Sequence, residues 1–432
     1  MGNSFFCGLC DLCGEMVLSW DVIVIGGGAS GLMAAGRAAE TGSRVLLLEK
    51  MGRVGVKLAI TGQGRCNLTN SGDLPTFIEN FHHNGKFLYN VFSRFFNQDL
   101  ISFFQSRGVP VVEERGRRIF PASNRAQDVV RVLRDYVRSE GVRVLIHSPV
   151  LEILQNRGAV AGVRTEKEIF KAPAVILATG GASYSQTGSS GDGYAMASKL
   201  GHRLEPIRPA LVPLEIEDPS IHSLQGLTLK NVRAAFFSGN RKIGEEFGEM
   251  IFTHFGVSGP IILALSGTVV EAFLTGKVDL RVDLKPALSP EQVENRLIRE
   301  FQGQPRQQIQ SLMGRLLPKS LVPLILKRIG ISPEAKGGGI RVAERREIQR
   351  VLKEWRLPVR GARPLEEAIV TAGGIAVKEI HPATLESKIV KGLHFCGEVI
   401  DVDGKTGGYN LQAAFSTGWV AGEAAARRLR PQ

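Results

Sequence analysis

Long hydrophobic runs are missing from this chain of 432 residues. No apolar stretch reaches the roughly 18 residues that a membrane-spanning helix needs, which argues against an integral membrane protein. Cysteine is scarce, at five residues. Because an odd number of cysteines in so long a chain is not a disulfide framework, we expect a protein of the reducing cytoplasm.

Three of these cysteines, Cys7, Cys10 and Cys13, lie close together near the amino terminus. A ferredoxin-type iron–sulfur site needs a fourth Cys followed by Pro, and neither follows here. We predict no metal site and interpret residues 1–18 as a disordered extension outside the fold. Met1 and Met16 both stay open as the natural start, because the ordered pattern begins just after Met16.

The composition is that of a globular protein, with 43% hydrophobic and 22% charged residues. The length suggests two or three domains. The net charge is +12, and much of the basic excess lies in residues 306–363. Solvated helix faces are the favoured explanation for that stretch. RNA or an acidic partner is the alternative, although the stretch lacks the aromatic residues that single-strand binding surfaces interleave with cations.

A dinucleotide-binding pattern opens the ordered part of the chain. Residues 21–25 form an apolar run typical of a strand buried on both faces of a parallel sheet. A glycine-rich turn follows, and an Ala-rich segment, 32–41, predicts a helix after it. A second apolar strand is predicted at 44–48. This strand–turn–helix–strand order is the context that a dinucleotide-binding motif requires.

Each part of the motif has a physical role. Gly26 permits the tight turn, Gly28 lets the backbone approach a pyrophosphate, and Gly31 lets the helix pack closely on the strand. Free N–H groups at the helix start favour phosphates. Glu49, at the end of the second strand, is placed to accept ribose hydroxyls and disfavours a 2′-phosphate. The motif therefore predicts FAD or NAD rather than NADP.

Three further glycine-rich segments lie downstream, at residues 57–70, 174–193 and 394–412. An extended FAD needs contacts from several strand ends, whereas a nicotinamide-binding fold concentrates its motif in one half. The last segment opens a helix predicted to run to about Ala426. Its start, at Gly407 and Gly408, can approach a reduced flavin closely and stabilise its negative charge. FAD is therefore the predicted cofactor.

With these motifs the chain resembles the two-dinucleotide-binding flavoproteins. More closely, it resembles the bacterial NAD(P)/FAD-dependent, aminoacetone-oxidase-family FAD-binding proteins, which include a bile-acid-pathway enoyl reductase. The specific segments are Gly-Arg-Cys-Asn-Leu-Thr-Asn at 64–70 and Gly-Gly-Tyr-Asn-Leu-Gln at 407–412. The resemblance runs from about Ser19 to the end and implies an FAD-dependent oxidoreductase.

The resemblance also implies which residues contact FAD. Besides the glycines of the first turn, they are Ala29, Ser30, Glu49, Lys50, Gly64, Arg65, Cys66, Asn67, Thr179, Gly180, Asp401, Asn410 and Leu411. Val150 lies in a segment that suits the strand whose backbone pairs with adenine.

The predicted fold class is α/β, with a Rossmann-like FAD-binding domain at residues 19–204 and 369–432 and an inserted domain at 205–368. Prolines between 206 and 219, together with strands at 231–238 and 277–284, indicate a β-rich, barrel-like part of the insertion.

Helix signals complete this division. A capping box at Ser289 starts a small helical part at about 286–355. Asn97 and Asn124 are predicted N-caps of two helices in the first domain. Strands near 357–360 and 368–371 are expected to return the chain to the flavin domain.

The candidates for chemistry are few. Cys66 and Cys396 are isolated, which argues against the disulfide reductases that use a C-x-x-C pair. For proton transfer the candidates are His254, in a loop expected to face the flavin from the insertion, and Tyr409. Arg65 is a candidate for holding an anionic substrate or the flavin pyrimidine.

Three functions stay open. The first is an FAD-dependent oxidoreductase that passes hydride through flavin N5 between NAD(P)H and a small organic substrate. Since no second G-x-G-x-x-G follows a strand, NAD(P)H would dock transiently at the flavin. The second is an RNA-associated flavoprotein that uses the basic insertion. The third is a flavin-binding protein with little turnover.

Overall fold

The computed structural model describes residues 19–427. The predicted amino-terminal extension, its three cysteines and the choice between the two start methionines lie outside the described residues. None of the helices within the described range is long and apolar enough to cross a membrane.

Thirteen α-helices are described, and short helices alternate with long ones. They are α1 (Ala29–Glu40), α2 (Val56–Ile60), α3 (Leu74–Glu79), α4 (Tyr89–Phe92), α5 (Asn97–Gln105), α6 (Ala126–Ser139), α7 (Asp192–Lys199), α8 (Pro260–Ala272), α9 (Pro290–Gly303), α10 (Ile309–Met313), α11 (Val322–Arg328), α12 (Val342–Lys353) and α13 (Tyr409–Arg427).

Nineteen strands are described across the same residues. They are β1 (Val22–Ile25), β2 (Val45–Leu48), β3 (Thr69–Asn70), β4 (Val111–Glu114), β5 (Arg118–Pro121), β6 (Arg143–Leu145), β7 (Val150–Asn156), β8 (Ala159–Thr165), β9 (Ile169–Lys171), β10 (Ala174–Leu177), β11 (Leu204–Ala210), β12 (Leu214–Ile216), β13 (Thr228–Ser238), β14 (Arg241–Phe252), β15 (Gly256–Ser258), β16 (Val278–Asp283), β17 (Trp355–Ala362), β18 (Val370–Ile375) and β19 (Leu393–Phe395).

A parallel five-stranded sheet, in the order β19-β10-β1-β2-β6, forms the centre of the first part of the chain. In register, Val24 lies opposite Ile176 on one side and Leu47 on the other. All four residues of β1 are buried, since helices α1 and α13 pack against the sheet and strand β8 lies against β10. The predicted α/β fold with a Rossmann-like core is confirmed.

Helix α13 lies directly against α1, and two glycines explain the close approach. A Cβ on Gly418 would stand 2.3 Å from the Ser30 carbonyl oxygen, and one on Gly422 would stand 2.3 Å from that of Ala34. Because only glycine allows backbones to come this close, the final helix is held beside the glycine-rich turn at the start of α1.

A closed six-stranded barrel, β12-β15-β14-β13-β16-β17, is the second centre of the molecule. The helices α9 to α12 pack against it, and together they enclose a separate hydrophobic core. The predicted capping box is present, since the Ser289 hydroxyl accepts from Gln292 N–H at 3.1 Å and Gln292 Oε1 accepts from Ser289 N–H at 2.8 Å. The domain boundaries given above stay an interpretation of this arrangement.

Two predicted N-caps are each wrong by one residue. Helix α5 has Phe96 as its N-cap, and the Asn97 amide instead donates to the carbonyls of Asn70 and Gly72, at 2.9 and 2.8 Å. Helix α6 has Arg125 as its N-cap, because the Asn124 side chain accepts hydrogen bonds from Arg65. The tertiary bond occupies the Asn124 oxygen that capping would have used, whereas the Asn97 oxygen accepts from the neighbouring Gln98 N–H at 2.8 Å.

The strand predicted near 357–360 does not return the chain to the flavin domain. It is part of β17, which pairs with β12 and β16 and closes the barrel. The return is made by β18, which pairs with β11 in a separate two-stranded sheet. Sequence spacing could not distinguish these pairings, since both strands are short and apolar.

Candidate functional site

A cavity of about 1170 Å³ runs from the carboxyl ends of β1, β2 and β10 to the barrel. Its lining includes the first glycine-rich turn, the residues after β10, the start of α13 and residues of β14 and α8. The volume exceeds the roughly 300–1,000 Å³ of most small-ligand pockets. There is therefore room for an extended dinucleotide and a second molecule.

The glycine-rich turn forms one end of the cavity. Gly26 has a φ of +102°, which favours glycine, and a Cβ on Gly31 would stand 1.9 Å from the Gly26 carbonyl oxygen. These are the tight turn and close packing that the motif predicts. Helix α1 begins at Ala29, and its N-cap, Gly28, offers no side chain to satisfy the first N–H groups. The helix start therefore presents hydrogen-bond donors to the cavity.

Glu49 lies beside this helix start, buried at the end of β2. Its Oε2 accepts from Gly27 N–H at 2.7 Å, and its Oε1 accepts from Met51 N–H at 2.8 Å. These two bonds fix the carboxylate at the cavity surface. Each oxygen keeps a lone pair with which it can accept a ribose hydroxyl.

Lys50 turns toward the segment after β10. Its ammonium group contacts Asp192 Oδ2 at 2.9 Å and Ser190 Oγ at 2.6 Å. This bridge joins the second strand end to the start of α7. It closes the cavity on the same side as Val150, at the start of β7.

The start of α13 forms the middle of the cavity, where Gly407 and Gly408 have φ angles of +133° and +97°. A Cβ on Gly408 would stand 2.4 Å from the Thr69 backbone, so the two segments touch. Asn410 fixes the turn, because its side chain donates to the Gly404 carbonyl at 2.7 Å and accepts from Gly404 N–H at 2.8 Å. The helix start thus presents its positive end to the cavity.

A buried polar cluster between α2 and β18 was not predicted from the sequence. Lys57 Nζ lies 2.8 Å from Glu398 Oε2 and donates to Ser183 Oγ at 2.9 Å. Glu398 Oε1 also accepts from Thr371 N–H at 2.7 Å. Against the opposing effect of burial, the Lys57 ammonium and these donors lower the pKa of Glu398. Glu398 directly follows Gly397 in the glycine-rich segment at 394–412, and this position is the signal that the sequence offers.

Most of the predicted contact residues do line the cavity. They are Gly26, Gly28, Ala29, Ser30, Glu49, Lys50, Arg65, Asn67, Val150, Thr179, Gly180, Tyr409, Asn410 and Leu411. Gly31, Gly64, Cys66, Asp401 and His254 are not among the lining residues. Gly31 packs beneath the turn, as its predicted role requires.

Asp401 and His254 are absent from the cavity lining for reasons that the structure shows. Asp401 points away, toward Asn84, whose amide donates to Asp401 Oδ2 at 2.7 Å. Burial and the neighbouring carboxylate of Asp403 raise the pKa of Asp401. His254 is exposed on the outer turn between β14 and β15 and stacks edge-on with Phe255. Only the end of that loop, at Ser258 to Pro260, reaches the cavity.

The two isolated cysteines are fully buried. Burial raises the pKa of Cys66 and of Cys396 to about 12 in each case. A thiol with so high a pKa is a poor nucleophile, because the thiolate is the reactive form. Both residues act as small buried side chains in this fold.

Arg65 and Tyr409 both reach the cavity but differ in their surroundings. The Arg65 guanidinium forms an ion pair with Glu114, donates to Asn124 Oδ1 and lies over the Phe120 ring, 4.3 Å from its centroid. Its charge is therefore already balanced. Burial raises the pKa of Tyr409, so its phenol stays protonated at neutral pH.

The basic stretch at 306–363 is largely neutralised within the protein. Eight of its fourteen cations form ion pairs: Arg315, Arg328, Arg341, Arg345, Arg350, Lys353, Arg356 and Arg363. Such pairing supports solvated helix faces over a nucleic-acid surface, which needs cations free for phosphates.

A family model described as "HI0933-like protein Rossmann domain" matches residues 20–424. The chain belongs to this HI0933-like family. The family is one of FAD-binding Rossmann proteins, and membership confirms the predicted class of flavoprotein oxidoreductase.

Two curated relatives have different activities in their names. The chain is 34% identical to "3-dehydro-bile acid delta(4,6)-reductase" of Clostridium scindens, over 94% of this chain and 98% of the relative. It is 30% identical to "Ribosomal RNA dihydrouridine synthase" of Escherichia coli, over 94% and 97%. A solved 3-ketosteroid delta1-dehydrogenase from Sterolibacterium denitrificans shares the fold, with a TM-score of 0.54 and 13% identity over 95% of this chain and all of that one.

The residues of the cavity fit FAD on the evidence of their own chemistry. An uncapped helix start lies beside a carboxylate fixed for hydroxyl recognition. Thr179 Oγ1 is buried at the cavity without a hydrogen-bond partner in residues 19–427. Donors for a pyrophosphate, acceptors for a ribose and a second helix start farther along match the successive parts of the cofactor.

Proposed function

We propose that this protein is an FAD-dependent reductase that passes hydride from NAD(P)H to a small organic substrate. The observation that carries the proposal is one continuous cavity, lined by the dinucleotide turn at one end and by β14 and α8 at the other. Such a cavity brings a second molecule to the cofactor while the protein surrounds both.

The chain's own residues would divide the work along the cavity. Ala29 and Ser30 at the start of α1 would bind the pyrophosphate, and Glu49 would hold the ribose. The start of α13 would stabilise negative charge on the ring system. FAD, when bound, supplies the hydride chemistry at its flavin N5.

Tyr409 would serve as the hydrogen-bond donor, or proton donor, to the substrate. It lines the cavity at the start of α13 and carries its proton at neutral pH, and its raised pKa suits hydrogen-bond donation better than proton transfer. His254 is not placed for this role, since it lies on the outer turn of the barrel. Arg65 is better suited to shaping the cavity wall, because Glu114 already balances its charge.

The experiment is anaerobic reduction of the purified protein. We expect FAD to be released on denaturation, and the bound flavin to bleach rapidly with NADH or NADPH. Absence of FAD, together with failure of the apoprotein to take it up, would refute the proposal. A bound flavin inert to every donor would instead support a binding protein with little turnover.

Ribosomal RNA modification is the second candidate, and the Escherichia coli relative, similar over nearly its whole length, favours it. In that case a uridine would enter the same cavity. Salt-sensitive retention of RNA by the purified protein is its signature. We rank it second because the basic stretch at 306–363 is mostly paired with carboxylates.

A further inference from the structure

The β4–β5 hairpin places a group of arginines at the mouth of the cavity. Gly116 and Arg118 of this hairpin line the cavity, and Arg115 and Arg117 are exposed beside them. No motif drew attention to this segment in the sequence. It is nevertheless the most cationic part of the cavity rim.

The hairpin is fixed to the start of α13 by one side chain. The Asn70 amide donates to the Gly116 carbonyl at 2.9 Å and to the Gly407 carbonyl at 3.3 Å. The tip of the hairpin is therefore held beside the turn that presents α13 to the cavity. Its arginines belong to the same site as Tyr409.

The conformation of the tip is unusual for the residues that form it. Gly116 and Arg117 both lie in the left-handed region, with φ of +79° and +60°. A non-glycine residue in this region costs on the order of 1 kcal/mol. Left-handed conformations are nevertheless usual in the tight turns of β-hairpins, and here they give the tip a defined shape.

Two arginines of the rim, Arg115 and Arg117, form no ion pair within the described residues, although the charge of Arg117 contributes to the lowered pKa of the exposed Asp73 carboxylate. Arg65 and Arg118 share the carboxylate of Glu114, and Lys405 lies 3.3 Å from Glu246. Within residues 19–427 the Arg117 guanidinium makes no hydrogen bond or ion pair.

Arg117 is not itself among the residues that line the cavity, but its two chain neighbours, Gly116 and Arg118, are. The charge of Arg117 acts on the Tyr409 phenol and partly offsets the rise in pKa that burial causes there. A free cation beside a cavity-lining phenol is placed to meet an anion on an incoming molecule.

The opposite wall of the cavity mouth is apolar. Leu211, Ile251, Pro260, Leu263, Ile369 and Val370 line it. A molecule docked there would lie between an uncharged surface and an arginine-rich edge. This asymmetry selects for a ligand with an apolar body and a charged end.

We propose that Arg117, on the β4–β5 hairpin, binds a carboxylate or phosphate group on the molecule that docks against the apolar wall beside Tyr409. The inference rests on the proposed function, since it assigns the ligand class of that same cavity. Both a substrate and a nicotinamide dinucleotide can carry such a group, and the two half-reactions distinguish them.

The test uses the FAD-loaded enzyme and three variants. Arg117→Gln removes the charge, and Arg117→Lys keeps it. Arg346→Gln is the matched control, because Arg346 is exposed on α12, has no ion pair in the described residues and is absent from the cavity lining. Flavin content and thermal midpoint are recorded first for each variant.

The oxidative half-reaction compares two acceptors, uncharged menadione and anionic 1,2-naphthoquinone-4-sulfonate. If the substrate carries the anion, Arg117→Gln lowers the rate ratio of anionic to uncharged acceptor about tenfold, as the loss of one charge-assisted bond predicts. The ratio is restored in Arg117→Lys, and the difference shrinks at high salt. If the reductant carries the anion, the Kd of NADH or NADPH in flavin bleaching rises instead.

An Arg117→Gln enzyme that matches Arg346→Gln in both half-reactions would overturn the inference. Loss of RNA retention, with both half-reactions unchanged, would also overturn it and assign the hairpin to RNA. In either case a wild-type enzyme that holds FAD and reduces menadione leaves the proposed function standing. A wild-type protein without FAD would remove the proposed function itself.

Discussion

The two ends of the cavity differ in what faces a ligand, which is backbone at one end and side chains at the other. At the β1–α1 end the surface that faces a ligand is mostly backbone, exposed where Gly26 and Gly28 carry no side chain. At the mouth it consists of side chains: Arg118 and Tyr409 on one side, with Arg117 next to them in the chain, and the apolar wall of α8 on the other. The first end suits a group that many proteins bind, and the second suits a ligand particular to this enzyme.

The strongest test of this difference is to introduce a side chain into the glycine-rich turn at the β1–α1 end. We expect Gly31→Ala to have the largest effect, because its Cβ would stand 1.9 Å from the Gly26 carbonyl oxygen. Overpacking costs about 1–3 kcal/mol, and here backbone must move, so stability and FAD binding should fall together. Urea unfolding of the apoprotein and FAD titration measure the two quantities.

Gly28→Ala is the matched control for that change. Nothing lies within 4 Å of its Cβ, and its φ of −80° suits any residue. We expect the stability of the apoprotein to stay within about 0.5 kcal/mol, whereas FAD affinity falls at least about tenfold because the methyl group meets the pyrophosphate. Equal losses of apoprotein stability in both variants would contradict the assigned roles.

The same division explains what the sequence could predict. Gly26, Gly28, Gly31 and Glu49 lie within two dozen residues, and their spacing alone specifies a strand, a turn, a helix and a carboxylate. The fold class and this end of the cavity follow from local pattern.

The mouth could not be predicted in that way. It joins residues from β5, β14, α8 and α13, which tertiary packing alone brings together. Asp401 stays a predicted FAD contact that does not line the cavity, whereas Glu398 does, and the sequence cannot show that Asn84 donates to the Asp401 carboxylate. The N-cap predicted at Asn124 fails for a similar reason, since the distant Arg65 donates to its side-chain oxygen.

Lys57 and Glu398 provide the next test, in the middle of the cavity. Removing the cation in Lys57→Met leaves a largely but not fully buried carboxylate without its partner. Because about a fifth of each side chain is exposed, we expect a loss of roughly 1–3 kcal/mol at pH 7, below the range for fully buried pairs. Urea unfolding at pH 7 and pH 4 measures it.

The pH dependence identifies the cause. In the wild type the lowered pKa of Glu398 contributes stability above about pH 4.5 that is lost as the pH falls. In Lys57→Met the isolated carboxyl is expected to have a raised pKa, so protonation relieves the cost of burying its charge. The difference in unfolding free energy between the wild type and Lys57→Met should therefore be smaller at pH 4 than at pH 7. Adding Glu398→Gln to Lys57→Met removes the unpaired carboxylate. The double variant should therefore lose less unfolding free energy at pH 7 than Lys57→Met does. A difference of equal size at both pH values would mean that lost packing, not charge, was the cause.

The smallest expected effect concerns His82, which lies where the cavity mouth meets the barrel. Its Nδ1 lies 2.7 Å from Asp403 Oδ2, and its ring packs beside Gly267 of α8. Although burial and Lys405 oppose it, the Asp403 carboxylate raises the pKa of His82. The stability that this pair contributes is therefore full below pH 6.5 and is lost as the pH rises through the raised value.

We expect the turn at 401–408 to exchange its amide hydrogens faster above that value, after correction for intrinsic rates, by a factor corresponding to about 1 kcal/mol. A local probe is needed because His202, whose pKa burial lowers, titrates in another part of the fold. His82→Gln should remove the pH dependence of this turn alone. If the pH dependence of amide exchange survived in His82→Gln, the turn would be held by its Asn410 contacts. The mouth of the cavity would then be as insensitive to side-chain charge as the glycine-rich turn at the other end.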